Sequence, residues 1–329
     1  MSKESYSIES QNSRKRKILS NNNLQKPIDI TIMNASGCHC KTKEQLDELI
    51  EIGMKTVITK TCTLLPQKGN ISPVFLEINE HISLNCMGMP NLGYSYYRDL
   101  YLQYKLKEIT YIISMDASNE EHLLKMLEDY DAYLSRLKEE FHIPLDTLEY
   151  VEINVSCPST KCPRIIAYDT LAFARTLENI KLLELLNIKI GLKLAPYIDK
   201  VLLKQIAELI TIYQETAKIE YIVCSNSIPN GMIIDTDNSK PILSAETGGI
   251  SGSLNKLISI SNVYQFNKIL NNTSRPHIKI IGCGGIEKLD DIKEYIAAGA
   301  HSVQIGRYLY VNGPESLKQI IQHNNISKL

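Results

Sequence analysis

The residue of this chain best suited to reaction chemistry is Cys157, which stands on a predicted loop directly after a predicted strand. Residues 147–153 alternate apolar and β-branched positions as strands do, and Pro158 and Pro163 stop any regular continuation. Catalytic residues gather at the carboxyl ends of strands in strand-helix-strand chains, because the loops there meet at one rim. A thiolate can react or accept a proton, whereas a cysteine buried in a core is inert. The local sequence leaves both possibilities open.

Two glycine clusters predict an anion site. Gly282-Cys283-Gly284-Gly285 follows the seventh predicted strand and precedes a helix, and Gly306-Arg307 follows the eighth strand. Glycines let backbone N–H groups approach a ligand, and a helix start adds partial positive charge. Barrels often bind phosphate between their seventh and eighth strands. A phosphate group is therefore the expected ligand there.

Other predicted strand ends carry small, amide or cationic side chains. They are Asn34-Ala35-Ser36-Gly37 after the first strand, Lys60-Thr61 after the second, Asn154 after the fourth, Lys193 after the fifth and Asn226-Ser227 after the sixth. Each could instead be a loop cap or a surface lysine. Lys193 fits that alternative poorly, because it lies between Leu192 and Leu194, where an unpaired charge is costly. Together these residues would form a polar pocket at one rim.

The elements that must position these residues alternate regularly. The predicted strands are residues 28–33, 56–59, 109–114, 148–154, 188–194, 219–224, 278–281 and 302–305. The predicted helices are residues 43–52, 95–105, 120–141, 171–186, 200–216, 256–269, 289–298 and 315–323. Eight such strands predict an α/β fold, the (β/α)8 or TIM barrel, with a doubly wound sheet as the alternative.

Long connections interrupt the alternation after strands 2, 4 and 6. Residues 62–91 and 226–252 are rich in glycine and proline and show few helix signals, and the loop that carries Cys157 follows strand 4. Loops of this length in a compact domain are usually functional. We therefore expect them to be active-site insertions.

Composition bounds the partners and the compartment. The 36 basic and 37 acidic residues leave a net charge of -1, so nucleic acid and anionic membrane are not expected, and no apolar run reaches the ~20 residues that span a bilayer. The eight cysteines lack paired CxxC spacing and predict neither a metal site nor secretion, which indicates the cytoplasm. Residues 1–25 predict a disordered polar and basic tail, and residues 26–329 a single barrel domain.

Several blocks of the sequence, taken in order, resemble one known family, the dihydroorotate dehydrogenases. The blocks are Met33 to Gly37, Thr59 to Thr61, Asn85 to Gly93, Asn154 to Pro158, Ala167 to Asp169, Lys193 with Pro196-Tyr197, Asn226 to Ile228 with Asn230-Gly231, and Gly282 to Gly285. They resemble the soluble class that uses a cysteine base, and within it the homodimeric class 1A branch that reduces fumarate. The resemblance runs from about Pro27 to Glu315.

The resemblance implies an FMN enzyme of pyrimidine (UMP) biosynthesis that oxidises dihydroorotate to orotate. Cys157 would take the C5 proton while the C6 hydride goes to flavin N5, and a cationic neighbour could lower the pKa of the thiol from its usual ~8.5. Fumarate would be the acceptor and the protein a homodimer. A partner subunit linked to NAD remains an alternative.

The resemblance also implies roles for the residues of the rim. Substrate would contact Lys60, Asn85, Met87, Gly88, Met89, Asn154, Ser159, Asn226 and Ser227. FMN would contact Ala35, Ser36, Gly37, Lys60, Thr61, Asn154, Lys193, Ser225, Gly248, Gly249, Cys283, Gly284, Gly285, Gly306 and Arg307. Lys193 would lie near flavin N1 and O2, where negative charge develops on reduction.

The chain departs from the family pattern at several positions. Ser159 replaces an asparagine, Gln67 and Val74 replace two arginines, and Arg307 replaces a threonine. The usual C-terminal extension is also lacking. These changes leave open a flavin barrel that acts on another dihydropyrimidine or enoate, or a flavin protein that has lost catalysis.

Overall fold

The computed structural model of this chain describes residues 31–37, 39–141, 148–157, 164–271 and 277–326. The predicted tail at 1–25 lies outside the described residues, and so does Ser159. The predictions made for them therefore stay predictions.

Eight parallel strands form the centre of the molecule. They are β1 (Thr31–Asn34), β2 (Thr56–Ile58), β5 (Thr110–Asp116), β6 (Glu149–Asn154), β7 (Ile188–Lys193), β8 (Ile219–Cys224), β13 (Lys279–Cys283) and β14 (Ser302–Ile305). They pair in the order β1-β14-β13-β8-β7-β6-β5-β2. This order confirms the predicted (β/α)8 barrel, since each strand lies beside its neighbours in the chain.

The seam between β1 and β2 is closed by a side chain. Asn34 donates from Nδ2 to the carbonyl oxygen of Ile58 at 2.7 Å and accepts from the Ile58 amide at 2.9 Å. Asn34 is fully buried, so these bonds replace a backbone ladder where water cannot reach. The side chain of Asn34 therefore completes the barrel.

Helices pack around the strands. They are α1 (Lys43–Glu51), α2 (Tyr94–Lys105), α3 (Glu120–Phe141), α4 (Thr170–Leu182), α5 (Lys200–Tyr213), α6 (Ser253–Leu270), α7 (Leu289–Ala297), α8 (Arg307–Asn312) and α9 (Lys318–Ile326). Asp169 caps α4 by accepting from the amides of Leu171 and Ala172. The sequence pattern does not predict α8, because its six residues are too few to show a helical period.

The insertions after the second and sixth barrel strands are more regular than the glycine and proline content predicts. Strands β3 (Phe75–Asn79), β4 (Ile82–Asn85), β9 (Ile228–Gly231) and β12 (Gly248–Gly252) form an antiparallel sheet in the order β3-β4-β12-β9. A short hairpin, β10 (Ile234–Asp235) and β11 (Lys240–Pro241), extends the second insertion. The two insertions, which the sequence pattern did not resolve into strands, therefore meet in one sheet beside the rim.

The two sides of the barrel wall differ in polarity. The main apolar core lies between strands and helices, while a smaller cluster inside the barrel contains Met33, Ile58, Ile112, Tyr221, Val223 and Ile281. Fully buried polar side chains lie among the barrel strands as well, notably Glu152 and Gln304. The carboxyl ends of the strands open beside the antiparallel sheet.

Candidate active site

A cleft of about 420 Å³ opens at the carboxyl ends of the barrel strands, beside the antiparallel sheet. Every described residue predicted to bind substrate or cofactor lines it. From β1 to β7 these are Ala35, Ser36, Gly37, Lys60, Thr61, Asn85, Met87, Gly88, Met89, Asn154, Cys157 and Lys193. Beyond β7 they are Ser225, Asn226, Ser227, Gly248, Gly249, Cys283, Gly284, Gly285, Gly306 and Arg307. The structure therefore brings these predicted residues to one place.

Lys60 lies where the ends of β1 and β2 meet. Its ammonium group donates to the carbonyl oxygen of Gly37 at 3.0 Å, and its backbone amide donates to Cys40. The amide of Thr61 donates to the carbonyl oxygen of Ser36. Only 8% of Lys60 is exposed, so its charge is directed at the cleft rather than at bulk solvent.

Two amides of the cleft wall are joined by the hydroxyl of Ser156. Ser156 donates to Oδ1 of Asn154 at 2.8 Å and accepts from Nδ2 of Asn226 at 2.7 Å. Backbone donors fix the orientation of each amide, because the Ser156 N–H donates to Asn154 Oδ1 at 3.2 Å and the Ser227 N–H donates to Asn226 Oδ1 at 2.8 Å. Ser156 is missing from the predicted site, although its place between Asn154 and Cys157 is a signal that could have suggested it.

Cys157 faces the cleft, but its surroundings do not lower its pKa. Burial and, to a smaller extent, the charge of Asp116 raise the pKa of the thiol, the Lys60 ammonium lowers it, and the net pKa is about 12. The cationic neighbour thus acts in the expected direction, but the net shift of the pKa is upward, because burial and Asp116 outweigh Lys60. The sequence shows the cation but neither the burial nor the carboxylate.

Asp116 is a second residue that the sequence reasoning missed. It ends β5, where it pairs in register with Asn154, and 4% of it is exposed. Burial raises the pKa of its carboxyl group. Ser118 donates to one carboxylate oxygen, and the other has no hydrogen-bond partner among the described residues. No pattern in the sequence connects Asp116 with Cys157.

The antiparallel sheet supplies the opposite wall. Asn85, at the end of β4, donates from Nδ2 to the carbonyl oxygen of Gly249 at 3.2 Å. A Cβ on Gly249 would lie 2.1 Å from Oγ of Ser227, so only glycine fits there. Gln67, which stands where the family pattern has arginine, donates to the carbonyl oxygen of Gly88 at 2.7 Å. The backbone near Met87 to Met89 is therefore held in place by its neighbours.

The glycine cluster after β13 is tightly packed. Gly284 and Gly285 have φ of +133° and +59°, and added Cβ atoms would meet Ser259 Oγ at 2.8 Å and the Gly252 carbonyl oxygen at 2.6 Å. Their backbone is thus able to approach a ligand closely. Cys283 and Gly306 complete this end of the cleft.

Arg307 lines the same end, yet its terminal nitrogens point to the β3–β4 hairpin. They donate to the carbonyl oxygens of Asn79 at 3.2 Å and Glu80 at 2.9 Å, and to Glu287 Oε1 at 3.3 Å. Glu287 also contacts His81 Nδ1 at 2.8 Å. The guanidinium group therefore connects the hairpin to the barrel, and its predicted phosphate contact stays a prediction.

Within the described residues, no cluster of three or more His, Cys, Asp or Glu side chains could hold a metal ion. Over the same part of the chain, no helix is long and apolar enough to span a membrane.

Known proteins resemble this chain along most of its length. A family model described as dihydroorotate dehydrogenase matches residues 18–326. The "Dihydroorotate dehydrogenase A (fumarate)" of Lactococcus lactis subsp. lactis (strain IL1403) is 33% identical over 295 residues, 88% of each chain. The protein of the same name from Lactococcus lactis subsp. cremoris (strain MG1363) is 33% identical over 298 residues, again 88% of each chain. The similarity therefore covers the barrel strands and the insertions at the rim alike.

Proposed function

Because the chain belongs to the dihydroorotate dehydrogenase family, we propose that it is an FMN enzyme that oxidises dihydroorotate to orotate in pyrimidine biosynthesis and reduces fumarate. One observation carries the proposal. Cys157, Lys60 and the amides of Asn154 and Asn226 line the same cleft as Lys193 and a glycine-rich turn. This arrangement suits a planar polar substrate held against a phosphate-bearing cofactor.

The residues of the cleft fit FMN. Gly284 and Gly285 leave no room for side chains, so their backbone could approach a phosphate with N–H groups. Lys193, 4% exposed, reaches the cleft from inside the barrel and would stabilise negative charge on the flavin ring. Ala35, Ser36, Gly37, Thr61, Ser225 and Gly248 would line the ring and the ribityl chain. Bound FMN would supply the acceptor for the hydride that leaves the substrate.

The substrate's ring would be recognised by amides. Asn85, Asn154 and Asn226 each offer both a donor and an acceptor, which matches the alternating N–H and C=O groups of a dihydropyrimidine. Lys60 would supply a positive charge, and the backbone of Met87, Gly88 and Met89 would face the substrate carboxylate. Ser227 and Ser159 would each add a hydroxyl.

Cys157 would take the proton from C5 of the substrate at Sγ. A pKa of about 12 makes the thiolate scarce but strongly basic. Lys60 lowers the pKa of Cys157, whereas burial and the charge of Asp116 raise it. A substrate whose ring contacts these groups would therefore change the pKa of the thiol. Water exclusion by the antiparallel sheet would protect the transferred proton.

The test is an anaerobic titration of the purified protein reconstituted with FMN. Dihydroorotate should bleach the bound flavin, and fumarate should restore its colour. Cys157→Ala should keep FMN and lose most of the bleaching rate. Bleaching by another dihydropyrimidine but not by dihydroorotate would contradict the proposed substrate, and fast bleaching of Cys157→Ala would contradict the proposed base.

We also propose a cytoplasmic homodimer. The support is the likeness to the homodimeric branch noted in the sequence and the name shared by the relatives. Sedimentation of the purified protein distinguishes a dimer from a monomer of 37.2 kDa. A monomer at all concentrations would contradict the proposed assembly without touching the proposed reaction.

A further inference from the structure

Three polar side chains form a chain of hydrogen bonds inside the barrel, at the end that faces the cleft. Lys193 Nζ donates to Gln304 Oε1 at 2.9 Å, and Gln304 Nε2 donates to Glu152 Oε2 at 2.6 Å. The exposed fractions are 4% for Lys193 and 0% for both Gln304 and Glu152. A buried cation is thus linked to a buried carboxylate through one amide.

The surroundings would make burial of the Lys193 ammonium and the Glu152 carboxylate costly in free energy if the two charges did not compensate each other. Glu152 pairs in register with Gly191, where the missing side chain leaves room for the ring of Tyr221. Glu152 Oε1 and the Tyr221 hydroxyl have no hydrogen-bond partner among the described residues. A charge in such surroundings is stable only with a counter-ion of opposite sign.

The amide of Gln304 has a defined direction in this chain. Its oxygen can accept from an ammonium group and its nitrogen can donate to a carboxylate. In the reverse orientation, the amide nitrogen would face the ammonium donor and the amide oxygen would face the carboxylate acceptor. Glu152 therefore turns the Gln304 oxygen toward Lys193. Lys193 Nζ also lies 3.9 Å from Cys283 Sγ, beside the glycine turn of the cleft.

We propose that Glu152 and Gln304 are positioning residues that keep Lys193 charged and held at the cleft. This inference rests on the proposed binding of FMN, whose reduced ring Lys193 would stabilise. Without the carboxylate, the ammonium group would either turn toward solvent or lose its proton. Either change would weaken the stabilisation of the reduced flavin.

The first experiment measures flavin binding and the midpoint potential of the bound flavin for E152Q. We expect FMN to bind about tenfold more weakly, and the midpoint to become more negative by about 30 mV, a tenfold change for a two-electron couple. The matched control is E149Q, because Glu149 is a buried carboxylate on the same strand. Its partner is Lys105, not the chain of hydrogen bonds that ends at Lys193. E149Q should change neither quantity.

The second experiment is a rescue. The double variant E152Q/Q304E keeps one carboxylate and one amide but exchanges their places, so the carboxylate contacts Lys193 directly. It should recover most of the wild-type midpoint, which a role in packing alone would not predict. In a K193M background, E152Q should have no further effect on the midpoint, because Glu152 acts through Lys193.

The outcomes separate this inference from the proposed function. Urea unfolding of the flavin-free wild type, E152Q, K193M and their double variant should show that E152Q destabilises less when Lys193 is absent. That comparison stands even if FMN does not bind, an outcome that would overturn the proposed function alone. Additive losses of stability, an unchanged midpoint in E152Q, or a midpoint that becomes more positive would each overturn the role of Glu152.

Discussion

Asn226 donates a hydrogen bond of 2.7 Å to the hydroxyl of Ser156, and this bond connects the ends of two barrel strands that are not neighbours in the sheet. Ser156 follows β6 and Asn226 follows β8, while β7 lies between them. The backbone N–H of Asn226 also donates to the carbonyl oxygen of Leu194, which follows β7. Three strand ends are thus held at fixed spacing where the substrate would bind.

Replacing Ser156 by alanine tests this connection. The variant should fold normally but lose the hydroxyl that joins the side-chain amides of Asn154 and Asn226, while each amide keeps its backbone donor. We therefore expect KM for dihydroorotate to rise about tenfold, the effect of one lost hydrogen bond of ~1.4 kcal/mol. Steady-state kinetics measures it. The control is Ser316→Ala, which removes a hydroxyl that donates to the carbonyl oxygen of Gly313, the residue after α8. Equal KM values in the wild type and Ser156→Ala would show that the hydroxyl does not contribute to substrate binding.

Replacing Asp116 by asparagine tests the electrostatics of the base. The thiolate is the active form, so with a thiol pKa of about 12 the rate of flavin reduction should rise with pH across the assay range. Removing the Asp116 charge lowers the pKa of Cys157, which moves this rise to lower pH. At fixed pH near neutrality we expect a rate about three- to tenfold higher, corresponding to a pKa lower by about one or less.

Stopped-flow reduction of the bound flavin by dihydroorotate, followed over pH, measures that shift. Asp290→Asn is the control, because Asp290 is an exposed carboxylate on α7 that pairs with Lys293. A pH profile of Asp116→Asn that coincides with the wild type would show that Asp116 has no influence on the base.

The barrel was predictable because its signals are local. Each strand is a short apolar run and each helix an amphipathic stretch, so the eight barrel strands were found with ends that differ from the structure by at most two residues where described. The antiparallel sheet was missed because the pairing that joins its two halves, β4 with β12, is distant in sequence. Gly249 pairs with Asn85, and neither glycine nor asparagine favours strands by itself.

The site was predictable as far as residue types at strand ends could indicate it. Lys60, Cys157 and Lys193 were found because each stands at the carboxyl end of a strand. The influence of Asp116 on Cys157 was missed because it depends on burial and on the distance between side chains. The same holds for Arg307, whose contacts with a distant hairpin exist only in the fold.

Replacing Arg307 by threonine tests the attachment of the hairpin. The variant loses the bonds to the carbonyl oxygens of Asn79 and Glu80, and charge-assisted bonds contribute about 1.5–3 kcal/mol each. We therefore expect amide hydrogen exchange in β3 and β4 to accelerate by about tenfold or more. Exchange measured by mass spectrometry on peptides covering 75–85 gives the answer. Arg98→Thr, which removes an ion pair with Asp129 on α3, should leave these peptides unchanged.

Asn34→Ala tests the closure of the barrel. Two buried backbone groups of Ile58 would lose their partners, and each unsatisfied group costs about 1–3 kcal/mol, so the free energy of unfolding should fall by about 2–6 kcal/mol. Urea unfolding monitored by circular dichroism measures this loss. Asn312→Ala is the control, because Asn312 is exposed and donates only to the Tyr308 carbonyl oxygen. Since water can replace that bond, its loss should cost less than about 1 kcal/mol. Equal losses in both variants would mean that β1 and β2 are held together without the Asn34 side chain.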